Sequence, residues 1–193
     1  SDLSAAQFNA QTVFSDGSMG ANLSGTNANL SMIDFSSAGG GYGGQGVDFR
    51  GTNLSSVNLS MANLTGAQFD SSTVFSDGTV GANLSGTNAI ISGLSGNIDF
   101  RGVNLSGVSF SASDLNQAQF DSTTIFSDGT TGVNLSGTNA MIPNLTGPVD
   151  LRGVNLSGVN LVGSDLSAAQ FNAQTVFSDG YMAANLSGNN ANL

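Results

Sequence analysis

Charged side chains are few in this chain of 193 residues, and their types limit the chemistry that it could perform. All thirteen acids are Asp, the only cations are Arg50, Arg101 and Arg152, and there is no His, Lys or Cys. Nucleophilic catalysis and metal binding by thiolate or imidazole therefore lack their usual side chains. Acid–base catalysis would need paired carboxylates in a concave pocket. We therefore expect no enzyme and no bound cofactor.

Four of the Asp residues recur in the motif Val/Ile-Phe-Ser-Asp-Gly, which begins at residues 13, 74, 125 and 176. Asp-Gly is typical of turns, so Asp16, Asp77, Asp128 and Asp179 are predicted to lie in surface turns. Clustered carboxylates could bind Ca²⁺, but these four are isolated in sequence. No metal site is predicted, although the fold could still bring two of them together.

Each arginine follows an Asp at a spacing of two, in the pairs Asp48–Arg50, Asp99–Arg101 and Asp150–Arg152. Two interpretations stay open. The arginines could make lateral contacts to another chain, since they are the only cations available. They could equally form surface ion pairs, which stabilise a fold only weakly.

Charge and hydropathy exclude two classes of partner. The formal net charge is −10, which disfavours binding to nucleic-acid phosphates. No apolar run approaches the roughly twenty residues of a membrane span. We expect no small-molecule substrate, and the chain itself is the predicted partner.

The elements that position these residues follow a period of five. Leu105, Phe110, Leu115 and Phe120 are spaced by five, whereas a helix would place apolar residues at three and four and a strand at two. The chain must therefore turn a corner once per repeat. The residues predicted to form the core on this pattern are Leu54, Leu59, Leu64, Phe69, Leu84, Leu105, Phe110, Leu115, Phe120, Leu135, Leu156 and Leu161. Leu115→Asp should open this core locally, whereas Ser106→Asp should have little effect.

The unit Val103-Asn104-Leu105-Ser106-Gly107 recurs nearly unchanged at 82–86, 133–137 and 154–158. It resembles the pentapeptide-repeat family, whose motif is A(D/N)LXX. The resemblance extends over nearly the whole chain and implies an all-β fold, a right-handed quadrilateral parallel β-helix with about twenty residues per coil. Its coils would stack at the strand spacing of about 4.8 Å. Residues 1–193 are expected to form one continuous solenoid.

A longer period overlies the short one. Residues 164–193 repeat residues 1–30 with three differences, at an offset of 163, and this period divides into sub-repeats of 61, 51 and 51. We interpret 51 residues as ten pentapeptides plus one residue, or two and a half coils. Arg50 and Arg152 would then share one face and Arg101 the opposite one. The Gly-rich insert, about 36–46, explains the longer unit, and the whole period would make eight coils, or about 38 Å.

These patterns favour a structural protein, part of an extracellular or cell-surface filament, sheath or adhesin stalk. Nearly identical repeats suggest that the chain is a window of a longer array whose units stack head to tail. The resemblance suggests an alternative, a DNA-mimicking inhibitor of a type II topoisomerase. A lesser alternative is ice or carbohydrate binding through Gly-Thr-Asn at 25–27, 86–88 and 137–139.

Overall fold

The computed structural model describes residues 14, 20–23, 28–31, 33, 35, 47–78, 80–87, 89–143 and 145–191. Within these ranges the regular structure is β and no helix occurs, as the sequence predicts. Two strands, β1 (Ile90–Ser92) and β2 (Ser109–Ser111), pair in parallel with Ile91 opposite Phe110. Parallel single-residue bridges make most of the remaining pairings. The described part of the chain includes no helix that could span a lipid bilayer.

Parallel bridges stack successive coils into ladders. One of them, which we call the Asn104 ladder, contains Asn58, Asn83, Asn104 and Ile125. Asp48 pairs with Gln68, and the intervening positions 53, 58 and 63 pair elsewhere. Four steps along the ladder positions therefore lead from Asp48 to Gln68, the residue that stacks on it.

Most corners between sides are short and are closed locally. At the corner 105–108, the backbone nitrogen of Val108 donates to the carbonyl oxygen of Leu105 at 2.9 Å. The Asn104 side chain accepts a hydrogen bond from the backbone nitrogen of Ser106 at 3.1 Å, which is the usual turn-forming role of Asn. Gly107 has a φ of 78°, a conformation that suits Gly best. The sequence Asn-Leu-Ser-Gly thus encodes its own turn.

The centre of most five-residue units in the described residues points inward. All twelve predicted core residues are at most 8% exposed, and the residues two positions earlier, such as Val103, are buried or partly buried beside them. Fully burying one Leu or Phe contributes about 1.5–3 kcal/mol. Phenylalanines stack along the axis, with the Phe100 ring centroid 5.3 Å from those of Phe75 and Phe120. Phe75 is buried and Val74 faces solvent, which resolves an orientation that the sequence leaves open.

Some corners are long turns, as at residues 75–82, 126–133 and 177–184. In the second, the backbone nitrogen of Val133 donates to the carbonyl oxygen of Phe126 at 2.8 Å, and Ser127 and Gly132 form an antiparallel bridge. The chain therefore leaves the coil and folds back on itself. Ile125 and Asn134 remain consecutive ladder positions, although eight residues lie between them.

The long turns change the count of sides. Between Asn53 and Asn104, the described ladder positions are residues 58, 63, 68, 74, 83, 90, 95 and 99. The unit of 51 residues thus holds nine sides, and our interpretation as ten pentapeptides is wrong because the long turn uses residues without adding a side. The expectation of eight coils and about 38 Å per 163 residues assumed ten sides per unit, so it loses its basis.

The Gly-rich insert at 36–46 lies outside the described residues, as does Asp16. The residues that flank the insert are close together, because the backbone nitrogen of Val47 donates to the carbonyl oxygen of Phe35 at 3.3 Å. Phe35 and Val47 are both buried in the core.

Candidate functional site

Polar side chains are most densely connected at the long turns. In the second turn, the Ser127 hydroxyl donates to the carbonyl oxygen of Arg152 at 2.6 Å and accepts from the backbone nitrogen of Gly129 at 3.0 Å. Asp128 Oδ1 accepts from the backbone nitrogens of Thr130 and Thr131 at 2.8 and 2.7 Å. The turn is therefore fastened to the following coil by a serine and shaped internally by an aspartate.

The first long turn has the same construction. The Ser76 hydroxyl donates to the carbonyl oxygen of Arg101 and accepts from the backbone nitrogen of Gly78 at 3.0 Å. Asp77 Oδ1 accepts from the backbone nitrogen of Val80 at 2.8 Å. We call each such assembly a turn cluster, meaning the Ser-Asp-Gly of a long turn together with the Asp and Arg of the following coil. The first contains Ser76–Gly78, Asp99 and Arg101, and the second contains Ser127–Gly129, Asp150 and Arg152.

The arginine of each cluster is paired within the chain. Arg152 Nε lies 3.0 Å from Asp150 Oδ1, and its Nη2 lies 2.7 Å from Asp150 Oδ2, which is a bidentate contact. The other two Asp–Arg pairs have the same geometry. The hydrogen bonds from Arg152 lower the pKa of Asp150 against the opposing effect of partial burial, and the bond to Asp150 raises the pKa of Arg152. The positive charge of each arginine is therefore largely compensated by an Asp of the same chain.

Glycine is required where the turn meets the guanidinium. Gly129 has a φ of 89°, and a Cβ atom there would lie 2.5 Å from Arg152 Nη2. At Gly132, a Cβ atom would lie 2.3 Å from the backbone nitrogen of Val154. The long turn thus rests directly on the backbone and on the arginine of the following coil.

The clusters occupy successive sides of the solenoid. Arg152 lies on the side of the Asn104 ladder, because Ser127, two residues beyond Ile125, donates to its carbonyl oxygen. Arg101 lies one side earlier, because Asp99 is the ladder position immediately before Asn104. The step between these arginines is one ladder position.

Arg50 completes this pattern. Asp48 lies two ladder positions before Asn58, which belongs to the Asn104 ladder, so Arg50 is on the side opposite Arg152. The prediction that these two arginines share a face is therefore wrong. It assumed ten sides in 51 residues, whereas nine sides rotate each copy by one side.

The sequence analysis missed the hydroxyl groups that hold the turns. Besides Ser76 and Ser127, the buried Thr124 donates from Oγ1 to the carbonyl oxygen of Phe100 at 2.9 Å. The available signal was the recurrence of Thr-Val/Ile-Phe-Ser at the spacing of 51. A period of five does not distinguish such a hydroxyl from an exposed one.

Ser106 is also placed differently from the prediction. It is 0% exposed, and its corner lies beneath the long turn 126–133, because Asn104 pairs with Ile125 and Ser109 with Asn134. The expectation that Ser106→Asp has little effect is therefore wrong. The same burial, with no hydrogen-bond partner for the hydroxyl, recurs at Ser55 and Ser157.

The described residues show no group of three or more potential metal ligands. A shallow cavity of about 180 Å³ lies beside the second cluster, lined by Ser122, Thr124, Ile125, Phe126, Ser127, Pro148, Val149 and Asp150. Asp150 is the one titratable residue of this lining and is paired with Arg152. Of the Gly-Thr-Asn threonines that suggested ice or carbohydrate binding, Thr87 and Thr138 are buried and donate to carbonyl oxygens at 2.8 Å, and Thr26 lies outside the described residues.

Comparison with known proteins agrees with the repeat pattern. The family model for pentapeptide repeats matches eight copies, at residues 45–71, 96–125 and 149–173. These matched segments carry the repeats of the pentapeptide-repeat family, which confirms the resemblance over those residues. No curated protein sequence matches the chain.

Two solved structures of pentapeptide repeat proteins are similar to the chain. HetL, involved in heterocyst differentiation regulation in the cyanobacterium Nostoc sp. strain PCC 7120, is 19% identical, with a TM-score of 0.32. The match covers 86% of this chain and 62% of HetL, so the chain spans less than two thirds of that protein. Rfr23 from the cyanobacterium Cyanothece 51142 is 24% identical, with a TM-score of 0.24, over 81% of this chain and 87% of Rfr23.

Proposed function

We propose that the chain is a structural protein, a segment of a repetitive filament, sheath or stalk outside the cell or at its surface. Its coils would be right-handed and four-sided, with about twenty residues each apart from the long turns. The observation that carries this proposal is the continuity of the ladders. One of them passes through Ile90, Ser109, Asn134, Asn155 and Val176 without a break.

Continuity matters because of how the coils bind one another. Each coil accepts and donates backbone hydrogen bonds along the axis, as Asn134 does toward Val108 and Phe110 on one side, and its neighbour Leu135 toward Asn155 on the other. A coil thus offers to the next one the pattern that it receives, which is how unpaired strand edges recruit further strands. Repeat proteins are stabilised by such nearest-neighbour contacts.

The sequence supports head-to-tail stacking as the mode of growth. Residues 164–193 differ from residues 1–30 at three positions, so one unit can present nearly the same coil as another. A contact of this kind joins different surfaces of two copies and does not close, and it generates filaments. The absence of Cys, His, Lys and Trp suits a chemically inert surface material.

The turn clusters modify the lateral part of this proposal. Each arginine is paired with its own Asp, and Arg101 and Arg152 also contact a long turn of the same chain. We assign Arg101 and Arg152 to holding the coils together within one filament. Contacts between filaments would then depend on other residues, and the quarter-turn rotation distributes equivalent surfaces over all sides.

The alternative of a DNA-mimicking inhibitor rests on the net charge of −10. Three of the thirteen acids are bonded to arginine, so the negative charges that imitate DNA phosphates would have to come from the other aspartates. A supercoiling assay with a type II topoisomerase and micromolar chain tests this alternative. Unchanged supercoiling would remove it.

Assembly tests the main proposal. Purified chain at increasing concentration should form unbranched filaments by electron microscopy, with a meridional fibre reflection at about 4.8 Å. The variant Arg50→Gln, which leaves Arg101 and Arg152 in place, should still form single filaments, whereas Leu156→Asp should not, since it disrupts a coil. A chain that stays monomeric at every concentration while folded would contradict the proposal.

A further inference from the structure

We propose that the long turns protect their Asp-Gly bonds from spontaneous isomerisation, with Ser76 and Ser127 as the protecting residues. The inference does not depend on filament formation. It concerns the backbone chemistry of Asp77–Gly78 and Asp128–Gly129, which the turn clusters hold in one conformation.

The reaction involves only the chain and water. The backbone nitrogen of the glycine attacks the side-chain carboxyl carbon of the aspartate, a C–N bond forms, and one water leaves to give a five-membered succinimide. Water then adds to either carbonyl carbon of the ring. One ring opening restores Asp, and the other leaves the chain running through the side chain as isoaspartate. No oxidant, reductant or other reactant is needed.

The second turn cluster restrains both groups that would react, the backbone nitrogen of Gly129 and the carboxylate of Asp128. The nitrogen of Gly129 donates its hydrogen to Ser127 Oγ at 3.0 Å. Ser127 is itself fixed, because it is 4% exposed and donates to the carbonyl oxygen of Arg152 at 2.6 Å. Ring closure requires the glycine nitrogen to leave this bond and the peptide plane to rotate, so the turn must first open locally.

The carboxylate is held as well. Asp128 Oδ1 accepts from the backbone nitrogens of Thr130 and Thr131 and from the hydroxyl of Thr130 at 2.8 Å. The bond from the Thr131 nitrogen, followed by those from Thr130, lowers the pKa of Asp128. The side chain therefore stays ionised, and an ionised carboxylate loses its oxygen as water less readily than a protonated one.

The first turn cluster gives an internal repeat of this geometry. Gly78 donates to Ser76 at 3.0 Å, and Ser76 is buried and bonded to the carbonyl oxygen of Arg101. The two Asp-Gly bonds are 51 residues apart. Each can therefore serve as the control for the other within one molecule.

The test is an ageing experiment on the full chain. Wild type, Ser127→Ala and Ser76→Ala are incubated at 37 °C and neutral pH, and isoaspartate at residues 77 and 128 is quantified by peptide mass spectrometry. We expect Ser127→Ala to accelerate isomerisation about five- to tenfold at Asp128 and not at Asp77, the factor that corresponds to one hydrogen bond. Ser76→Ala should show the reverse selectivity.

A linear peptide with the sequence of residues 124–132 measures the unprotected rate. Wild-type chain should isomerise at Asp128 more slowly than this peptide by at least the same factor. Equal rates in peptide and wild type would overturn the proposal, whether or not the variants fold. Equal acceleration of both sites by Ser127→Ala would also overturn it, because that result indicates general loosening.

Discussion

Two regions that lie directly on top of one another turn the same corner of the solenoid in different ways. The lower one, residues 105–108, closes with one backbone hydrogen bond and the side chain of the preceding Asn104. The upper one, residues 126–133, needs Ser127 bonded to the carbonyl oxygen of Arg152, 25 residues further along the chain. One corner is encoded locally, and the other depends on the coil that follows.

The short corners and the long turns determine different properties of the solenoid. Short corners set the period of five and the inward-facing core, and each can form from its own residues. Long turns determine how many residues one coil contains. They therefore determine the side of the solenoid on which each copy of the 51-residue repeat lies. The contacts that fasten a long turn to the following coil, such as that of Ser127 with Arg152, become possible only when the two coils have stacked.

Of the variants considered, Ser106→Asp should most strongly disturb the stacking of the long turn 126–133 on the short corner 105–108. Ser106 is fully buried beneath the long turn, so the variant places an unpaired carboxylate in a dry site and should lower the free energy of unfolding by about 3 kcal/mol or more. Ser60→Asp is the matched control, since Ser60 follows Asn58-Leu59 at an equivalent corner but is only half-buried. Denaturant unfolding compares the two, and equal losses would show that the long turn does not cover Ser106.

Gly132→Ala should disturb the long turn while leaving the short corners intact. A Cβ atom at Gly132 would lie 2.3 Å from the backbone nitrogen of Val154, and relieving such a contact typically costs about 1–3 kcal/mol. Gly137→Ala serves as the control, because a Cβ atom there meets nothing within 4 Å and the positive φ alone costs about 1 kcal/mol. The melting temperature of Gly132→Ala should be the lower one, and the reverse order would contradict the close approach.

Acid should weaken the long turns, and we expect this effect on stability to be the smallest of the three. The folded state lowers the pKa of Asp128 and Asp150, so their stabilising contribution is present above the ordinary Asp value of about 3.9. It is lost as pH falls through the lower values of the folded state. Asp128→Asn should therefore show a shallower fall in melting temperature between neutral pH and pH 2 than wild type. Identical pH profiles would mean that the Asp128 carboxylate contributes nothing to the turn.

Much of the fold can be predicted from the sequence because its determinants are local. The spacing of Leu105, Phe110 and Leu115 identifies the inward positions, and Asn-Leu-Ser-Gly identifies the corner. The orientation of Val74 and Phe75 cannot be predicted in this way, because both are apolar and the register changes there. It depends on the packing of Phe75 against Phe100 in the next coil.

The arrangement of the candidate site was less predictable. The Asp-x-Arg pairs are visible in the sequence, and the structure joins them in the bidentate contacts of the turn clusters. The sides that they occupy depend on whether residues 75–82 and 126–133 count as sides of the coil. Eight residues have about the length of one and a half pentapeptides, and the structure shows that they form no side through the antiparallel contact of Ser127 with Gly132 and the hydrogen bond from Val133 to Phe126.

The central claim is that a long turn adds no side to the coil. Cysteine cross-linking tests it most directly, and the chain has no native cysteine to interfere. If the long turn adds no side, Asn58 and Asn83 are neighbours on adjacent coils, at the strand spacing of about 4.8 Å, which suits a disulfide. Asn58→Cys with Asn83→Cys should therefore oxidise rapidly to an intramolecular disulfide, and Asn58→Cys with Val80→Cys should not. Rapid cross-linking of 58 with 80, and none of 58 with 83, would show that the turn is a side of the coil and would contradict the account.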